Sequence, residues 1–223
     1  MISDTHFESN PLRKFPPADL YLCAGDIGSP LEKHKLVDFF GSLEAELVIW
    51  VPGNHEYHGF NLDSAKVAMR EIAELAGVTL LDRDSIEYRG LKIYGATLWS
   101  LSNHPDNSDL RYIEGFDNPT RNQLHCEDLE FLLSAPDGSL IVFHHSPSYH
   151  GLNPAYQGDP RNCIYASRLE RYLRKRSWTW VFGHTHHPTN FQLGQCLLFS
   201  NPVGHLLENL QPWQNPSLEI KFP

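Results

Sequence analysis

The sequence predicts an α/β fold built on buried parallel strands, and three observations carry that expectation. Short apolar runs stop at glycine, as in Asp19–Gly25 (DLYLCAG) and Glu46–Gly53 (ELVIWVPG), which suits strands covered on both faces. Segments with apolar residues at helical spacing alternate with these runs, the order of a parallel sheet with helical crossovers. No repeat, low-complexity tract or linker interrupts the pattern, so residues 1–223 read as a single domain, long enough to bury a core without staples.

In chain order, DLYLCAG is the first strand. LEKHKLVDFFGSL (31–43) follows, with Leu31, Leu36, Val37, Phe39 and Phe40 at helical spacing, and ELVIWVPG is the second strand. Leu62–Gly77 is the clearest amphipathic helix, with Asp63 or Ser64 as its cap and Gly77 in the place of a C-terminal glycine. Ser85–Trp99 reads as two strands joined at Arg89-Gly90. Leu124–Ser134 is a helix, Ser139–His145 (SLIVFHH) a buried strand, Ala166–Ser177 (ASRLERYLRKRS) a basic-faced helix, and Trp178–Phe182 another buried run. Phe191, within NFQLGQCLLFS (190–200), belongs to a second hairpin turning at Gly194, and Ser217–Phe222 holds a last short strand. Two long polar stretches remain, Ser102–Asn118 and Ser146–Ala166. Loops of that length in a compact domain are more often functional than idle, so both are candidate substrate walls.

The net charge of -9 argues against a polyanion held on a broad basic surface, so no nucleic-acid partner is expected. The four cysteines, Cys23, Cys126, Cys163 and Cys196, form no CxxC pair and read as free thiols in a reducing compartment. No apolar segment approaches the ~20 residues needed to span a bilayer, and the opening MISDTH has no basic n-region or apolar h-region. The expectation is a cytoplasmic protein with no membrane association and no obligate protein partner.

Histidine is the odd total, at 13, and its placement matters more than its number. Asp4 and His6 follow the opening stub, Asp26 follows LCAG, Asn54 and His55 follow WVPG, His144 and His145 end LIVF, and His184 and His186 follow WVFG. In an open α/β sheet, ligands bind beyond the carboxyl ends of the strands, so these groups could converge at one edge. Each piece alone is an ordinary turn. Five of them in order, all at strand ends, are poorly explained by chance.

The order D-x-H (SDTH), G-D (AGDIG), G-N-H-E (PGNHEY), H (FHHSPS) and G-H-x-H (FGHTHH) resembles the calcineurin-like metallophosphoesterase superfamily, and the spacer text resembles a bacterial branch of it. The resemblance covers Ser3 to Asn209. It implies a four-layer sandwich of two mixed β-sheets flanked by helices, and a dinuclear metal-dependent phosphoesterase acting through a metal-bridged hydroxide. One divalent ion would be held by Asp4, His6 and His186 and the other by Asn54, His144 and His184, with Asp26 bridging. All donors are oxygen or nitrogen, which suits Mn, Fe or Zn. The D-x-H and H-x-H spacings would set each pair on one side of an extended segment, with Thr185 turned away and His184 and His186 reaching different ions. His144 is favoured over His145, because in relatives the first histidine after the strand is the usual ligand. His55, by match to G-N-H, would be the general acid, and Glu56 would orient its neighbours. His145, His150, His187 and Arg161 are candidates for steadying the ligands or facing the substrate.

Three departures stand out. Only Met1, Ile2 and Ser3 precede Asp4 where relatives have a full strand, so either the true start lies upstream or the central strand is stunted and the first metal site weakened. GDIGSP lacks the second aspartate that orients the acid histidine in many relatives, and NPVGH (201–205) stands where the branch tends to read NPRGY. The competing classes are a catalytically weak or inactive interaction scaffold on the same fold and a nuclease of the same superfamily. A scaffold typically loses ligands, and all seven are present here. A nuclease calls for a basic groove, and the one basic run, Arg168–Arg176, reads better as a solvated helix face. The expected substrate is a small phosphoester, diester ahead of monoester, with Tyr112, Tyr149 and Tyr156 at the mouth.

Overall fold

A computed structural model describes residues 1–10 and 14–204. The chain opens with β1 (Ala18–Ala24), α1 (Lys33–Gly41), β2 (Ala45–Val51), α2 (Leu62–Ala76) and β3 (Thr79–Leu80), and the strands pair in the order β1-β2-β3. Every pairing in this sheet is parallel. The expectation of two mixed sheets therefore needs refinement here, since each connection passes through a helix and returns the chain to the same end of the sheet.

The second sheet is mixed. Its strands are β4 (Asp84–Tyr88) and β5 (Leu91–Ala96), then, after α3 (Asp109–Tyr112) and α4 (Asn118–Leu133), β6 (Leu140–Phe143). Beyond α5 (Asn162–Tyr165) and α6 (Glu170–Leu173) come β7 (Thr179–Phe182), β8 (Thr189–Leu193) and β9 (Cys196–Ser200). The order is β4-β5-β6-β7-β9-β8, antiparallel in the two hairpins and parallel through the centre. The first hairpin turns at Arg89 (φ 50°) and Gly90 (φ 79°), two consecutive left-handed residues, which matches the right-handed twist of the strands.

Strand alternation decides the layering. Tyr21 and Cys23 of β1 and Val48 and Trp50 of β2 pack toward Leu36, Phe39 and Phe40 of α1 and Met69 and Ile72 of α2. Their neighbours Leu22, Ala24, Ile49 and Val51 face the other way, against Ile93, Leu140, Val142 and Val181 of the second sheet. The opposite side of that sheet, with Ile141, Phe143, Trp180 and Phe182, carries Leu132 from α4 and Leu173 from α6. The result is helix, sheet, sheet, helix, with an apolar layer at each junction. Each large side chain buried there contributes on the order of 1.5–3 kcal/mol.

Local boundaries differ from the sequence expectation in three places. The α2 cap is Asn61, whose backbone is extended (φ -81°, ψ 165°) and whose side chain accepts from Ser64 N, so Asp63 and Ser64 already lie in the first turn. Helix α4 begins at Asn118 because Asp117 accepts from Thr120 N and a proline occupies the first turn. The basic-faced helix over Ala166–Ser177 shrinks to the single turn of α6, since Ser167 N and Leu169 N donate instead to Ser146 O (2.9 Å) and Pro147 O (3.0 Å). The last strand expected over Ser217–Phe222 lies outside the described residues. Among the described residues, no helix is long and apolar enough to cross a membrane.

Candidate metal centre

Four strands, β1, β2, β6 and β7, deliver their carboxyl ends to one rim. The opening residues join them without forming a full strand: Ile2 pairs with Cys23 and Ser3 with Pro202. Asp4 N then donates to Gly25 O (3.0 Å) and His6 N to Asp26 O (3.0 Å), so residues 4–6 lie beside the turn that follows β1.

That rim is strained. Asp4 (φ 54°), His6 (φ 46°), Asp26 (φ 53°), His184 (φ 65°) and His186 (φ 47°) all sit in the left-handed region. Each costs roughly 1–3 kcal/mol and persists only where the surroundings over-determine it, a pattern concentrated at functional sites. The D-x-H and H-x-H pairs are thus not extended: left-handed turns, and not the two-residue strand period, aim their side chains. Thr185, between the last two, borders the cleft.

The side chains converge tightly. His6 Nε2 lies 3.0 Å from His186 Nε2, His186 Nε2 is 3.5 Å from Asp4 Oδ1, and His6 Nε2 is 3.8 Å from Asp26 Oδ2. The same Asp26 oxygen is 3.3 Å from His144 Nε2, and Asn54 Oδ1 is 3.2 Å from that nitrogen. Ligand atoms of Asp4, His6, Asp26 and His186 all fall within 4.8 Å of one another, as do those of His144, His145 and His184. His144 donates from Nδ1 to Ala24 O (2.8 Å), which turns its Nε2 into the site. His145 instead points Nδ1 at Thr97 O (3.3 Å) and lays its ring 3.9 Å from that of His184.

These donors fit cations. Asp4 Oδ2 and His184 Nε2 are buried without a hydrogen-bond partner, and buried polar atoms are otherwise almost always paired. Two imidazole nitrogens 3.0 Å apart beside two carboxylates form a ready ligand set for a positive ion. Burial opposes charge on Asp26, yet the imidazoles of His144 and His55 outweigh it and hold its carboxyl well below the ordinary range. Burial, with His145 and His144 alongside, pushes the pKa of His184 well down, so its ring stays neutral with a lone pair to donate.

Around this floor, Glu56 is fully buried and accepts from Asp26 N (3.0 Å), Ile27 N (2.8 Å) and Gly53 N (2.8 Å), tying the turns after β1 and β2 together. Burial and the Asp26 charge push its pKa up to about 7. His55 borders the cleft and its backbone N donates to Asp26 Oδ1 (2.9 Å). Burial works against the His55 imidazolium, but the Asp26 and Glu8 carboxylates outweigh it and hold its pKa at about 9.

The cleft above has two arms. One, of 340 Å³, runs past His55 and His186 to Asn153, Tyr156 and Asn162. The other, of 260 Å³, runs to Asp106, Asp109, Arg111 and Tyr112. Asn54, Ser108, Arg161, Tyr165 and His184 border both. Arg161 is engaged with Asp159 at 2.7 Å. Both long polar loops form these walls, but His150 and His187 do not: His150 Nδ1 pairs with Ser148 Oγ at 2.9 Å, and neither residue borders an arm. Tyr149 likewise lies off the cleft, beneath the Arg168 guanidinium at 4.3 Å.

Sequence reasoning missed three residues. Glu8 Oε1 lies 3.1 Å from His6 Nδ1 and 3.2 Å from His55 Nδ1. Asp109 Oδ1 meets Asn54 Nδ2 and His58 Nε2, both at 2.8 Å. The Tyr165 ring lies 5.2 Å from that of His184. Asp109 and Tyr165 fall inside the two stretches singled out as walls, and Glu8 follows His6 by two residues; those positions are their only sequence signals.

A family model for calcineurin-like phosphoesterases matches residues 1–188. The human metallophosphoesterase domain-containing protein 1 is 26% identical over 245 residues, covering 100% of this chain and 70% of its own length. An uncharacterized protein of Acanthamoeba polyphaga mimivirus is 26% identical over 238 residues, with 90% of this chain and 85% of that protein covered. Among solved structures, phosphopantetheinyl hydrolase from Mycobacterium tuberculosis superposes with a TM-score of 0.67 at 18% identity, over 92% of this chain and 88% of that one, a likeness of fold.

Proposed function

The chain belongs to the calcineurin-like phosphoesterase family and is a metal-dependent hydrolase of phosphoric esters, and from that premise we propose a dinuclear enzyme, one domain over residues 1–223, acting on small phosphodiesters. Asp4, His6, Asp26 and His186 would hold one ion. Asp26, Asn54, His144 and His184 would hold the other. The observation that carries this reading is the position of Asp26 Oδ2, 3.8 Å from His6 Nε2 on one side and 3.3 Å from His144 Nε2 on the other. An all-oxygen-and-nitrogen donor set suits Mn, Fe or Zn. When bound, such a pair supplies Lewis acidity toward phosphoryl oxygens and activates water near neutral pH.

The chain's own groups do the rest. His55 faces the cleft beside Asp26 and gives a proton to the departing ester oxygen, which otherwise leaves as a costly alkoxide. Glu56 holds the two turns that carry Asp26, Asn54 and His55 in register. His145, packed on His184, keeps that ring's orientation. Support for a diester comes from the two arms, which share Asn54 and His184 but are otherwise bordered largely by different residues, a wall for each ester substituent. Arg161 borders both arms, its guanidinium paired with Asp159 at 2.7 Å.

Free thiols at Cys23, Cys126, Cys163 and Cys196 suit a reducing compartment, and the cytoplasm is the proposed location. Reconstitution with Mn, Fe or Zn followed by elemental analysis and turnover of bis(p-nitrophenyl) phosphate tests the proposal. Two ions per chain and metal-dependent release of nitrophenolate are expected. No bound ion with any of the three metals overturns it.

A further inference from the structure

The turn after β1 reads Asp26-Ile27-Gly28-Ser29-Pro30, and its one carboxylate, Asp26, accepts from the His55 backbone N at 2.9 Å and approaches His6 and His144 with its other oxygen. A different loop supplies a carboxylate to the His55 ring. Glu8 Oε1 lies 3.2 Å from His55 Nδ1 and 3.1 Å from His6 Nδ1, so a single carboxylate oxygen meets both rings. The two rings stand edge-on at 4.5 Å between centroids, an arrangement the shared oxygen stabilises.

The support beneath Glu8 is fixed. Ser9 N and Asn10 N both donate to His6 O at 2.8 Å, closing a tight turn around Glu8. Asn10 Nδ2 donates to Thr5 O and Gly204 O at 2.8 Å, and Lys35 Nζ donates to Phe7 O at 3.0 Å. These bonds fix the backbone that carries Glu8, so its carboxylate reaches the two rings from an ordered turn.

We propose that Glu8 is the positioning residue for His55, holding the ring by Nδ1 so that its other nitrogen serves the leaving oxygen, and that the same oxygen fixes the ring of His6. The inference rests on the reading of His55 as the acid. An imidazole anchored at Nδ1 has its tautomer and its rotation settled together, and a charge-assisted bond to a carboxylate is roughly twice as strong as a neutral one. Glu8 acts through the two histidines and touches no reacting atom.

The test compares the parent protein with Glu8→Ala, Glu8→Gln, His55→Ala and the Glu8→Ala/His55→Ala double variant. Glu8 is partly exposed (side chain 23%), so its removal leaves the core intact. At saturating Mn, Glu8→Ala loses less turnover on bis(p-nitrophenyl) phosphate than on an alkyl diester, because nitrophenolate needs no proton, and the loosened His6 ring weakens the retention of one ion. On a diester with an alkyl leaving group it loses about 10-fold or more. Glu8→Gln, which keeps an acceptor but not the charge, falls between. At saturating Mn, adding Glu8→Ala to His55→Ala brings no further loss, since Glu8 serves the leaving group only through His55. In a separate arm, nitrogen NMR of the ring in chelator-treated protein, assigned with His55→Ala, shows the His55 Nδ1 proton in the parent and its loss in Glu8→Ala.

Equal losses on both leaving groups, a further loss when Glu8→Ala is added to His55→Ala, or an unchanged Nδ1 signal each overturn the proposal. Should the parent hydrolyse no phosphoester at all, the proposed function fails while the NMR comparison still decides the role of Glu8.

Discussion

The Asn54 side-chain amide donates to Asp109 Oδ1 at 2.8 Å, and its carbonyl oxygen consequently faces His144 Nε2 at 3.2 Å. A carboxylate accepts and cannot donate, so Asp109 dictates which end of the amide enters the site. His58 Nε2 holds the same oxygen at 2.8 Å, and Asp109 is itself buried. Asp109→Ala is expected to free the amide and weaken one ion by about 10- to 100-fold. Chelator competition measures this, and unchanged affinity for both ions would mean that Asn54 keeps its orientation unaided.

A second prediction concerns the close packing of the turns. A Cβ on Gly53 would stand 2.1 Å from Asp26 Oδ1 and 2.8 Å from His144 Nε2. Gly53→Ala must therefore push Asp26 out of place, and elemental analysis should find both ions lost. Gly41, at the end of α1, meets nothing within 4 Å. Gly41→Ala should keep both ions and gain about 0.5–1 kcal/mol in stability. Full occupancy in Gly53→Ala would refute the close approach.

Asp26 and His186 separate a shared ligand from an exclusive one. Asp26 Oδ2 approaches both clusters, whereas His186 Nε2 meets His6 at 3.0 Å and Asp4 at 3.5 Å in the first of them. Asp26→Ala is expected to bind no ion, and His186→Ala to keep about one of the two. Metal-to-protein ratios after dialysis decide between this and two independent sites, for which the two variants would lose the same amount.

How far the sequence reaches is visible in these residues. That Asp4, His6, Asp26, Asn54, His144, His184 and His186 gather at one rim was legible because they follow the opening stub or the ends of apolar runs, and strand ends converge at a sheet rim by construction. Burial on both faces was equally legible in LVIWV, where Val48 and Trp50 face α1 and α2 while Ile49 and Val51 face the second sheet. Glu8 and Asp109 were not, since they meet His55 and Asn54 across 47 and 55 residues of chain, and no local pattern encodes which loops cross. The overlong helix at Ala166–Ser177 failed for the same reason. Its first residues take partners at Ser146 and Pro147, a tertiary pairing that outcompetes helical periodicity.

Stability should fall in mild acid through His125. The ring is buried, with Nδ1 donating to Trp99 O, and burial lowers its pKa from the ordinary 6.5. The folded chain therefore binds this proton less readily than the unfolded chain. The stability that neutral His125 contributes is present above 6.5 and is lost as pH falls from there toward the folded value. In chelator, so that ions do not intervene, His125→Gln should lose less stability than the parent between about pH 7.5 and about pH 5.5. Parallel urea midpoints for the two proteins across that range would show that His125 is not responsible.

Under the proposed function, the two-armed cleft would set the substrate preference. Its walls carry Asp106, Asp109 and Asp159 against Arg111 and Arg161, and Arg161 is already paired with Asp159. The chain's net charge of -9 adds a field that repels phosphates beyond the one at the floor. A polymer would thus gain little past its scissile linkage, whereas a small diester would place one substituent along each arm. Tyr112 is exposed at the far wall of the smaller arm, and Arg111 stands beside it. Tyr112→Ala and Arg111→Ala are expected to raise KM for bis(p-nitrophenyl) phosphate by about 3-fold or more, the loss of one modest contact. For p-nitrophenyl phosphate, which has a single substituent, KM should not move. At matched enzyme concentration, single- and double-stranded DNA should be cleaved more slowly than the small diester. Faster cleavage of DNA, or equal KM changes for diester and monoester, would show that the second arm does not receive an ester group.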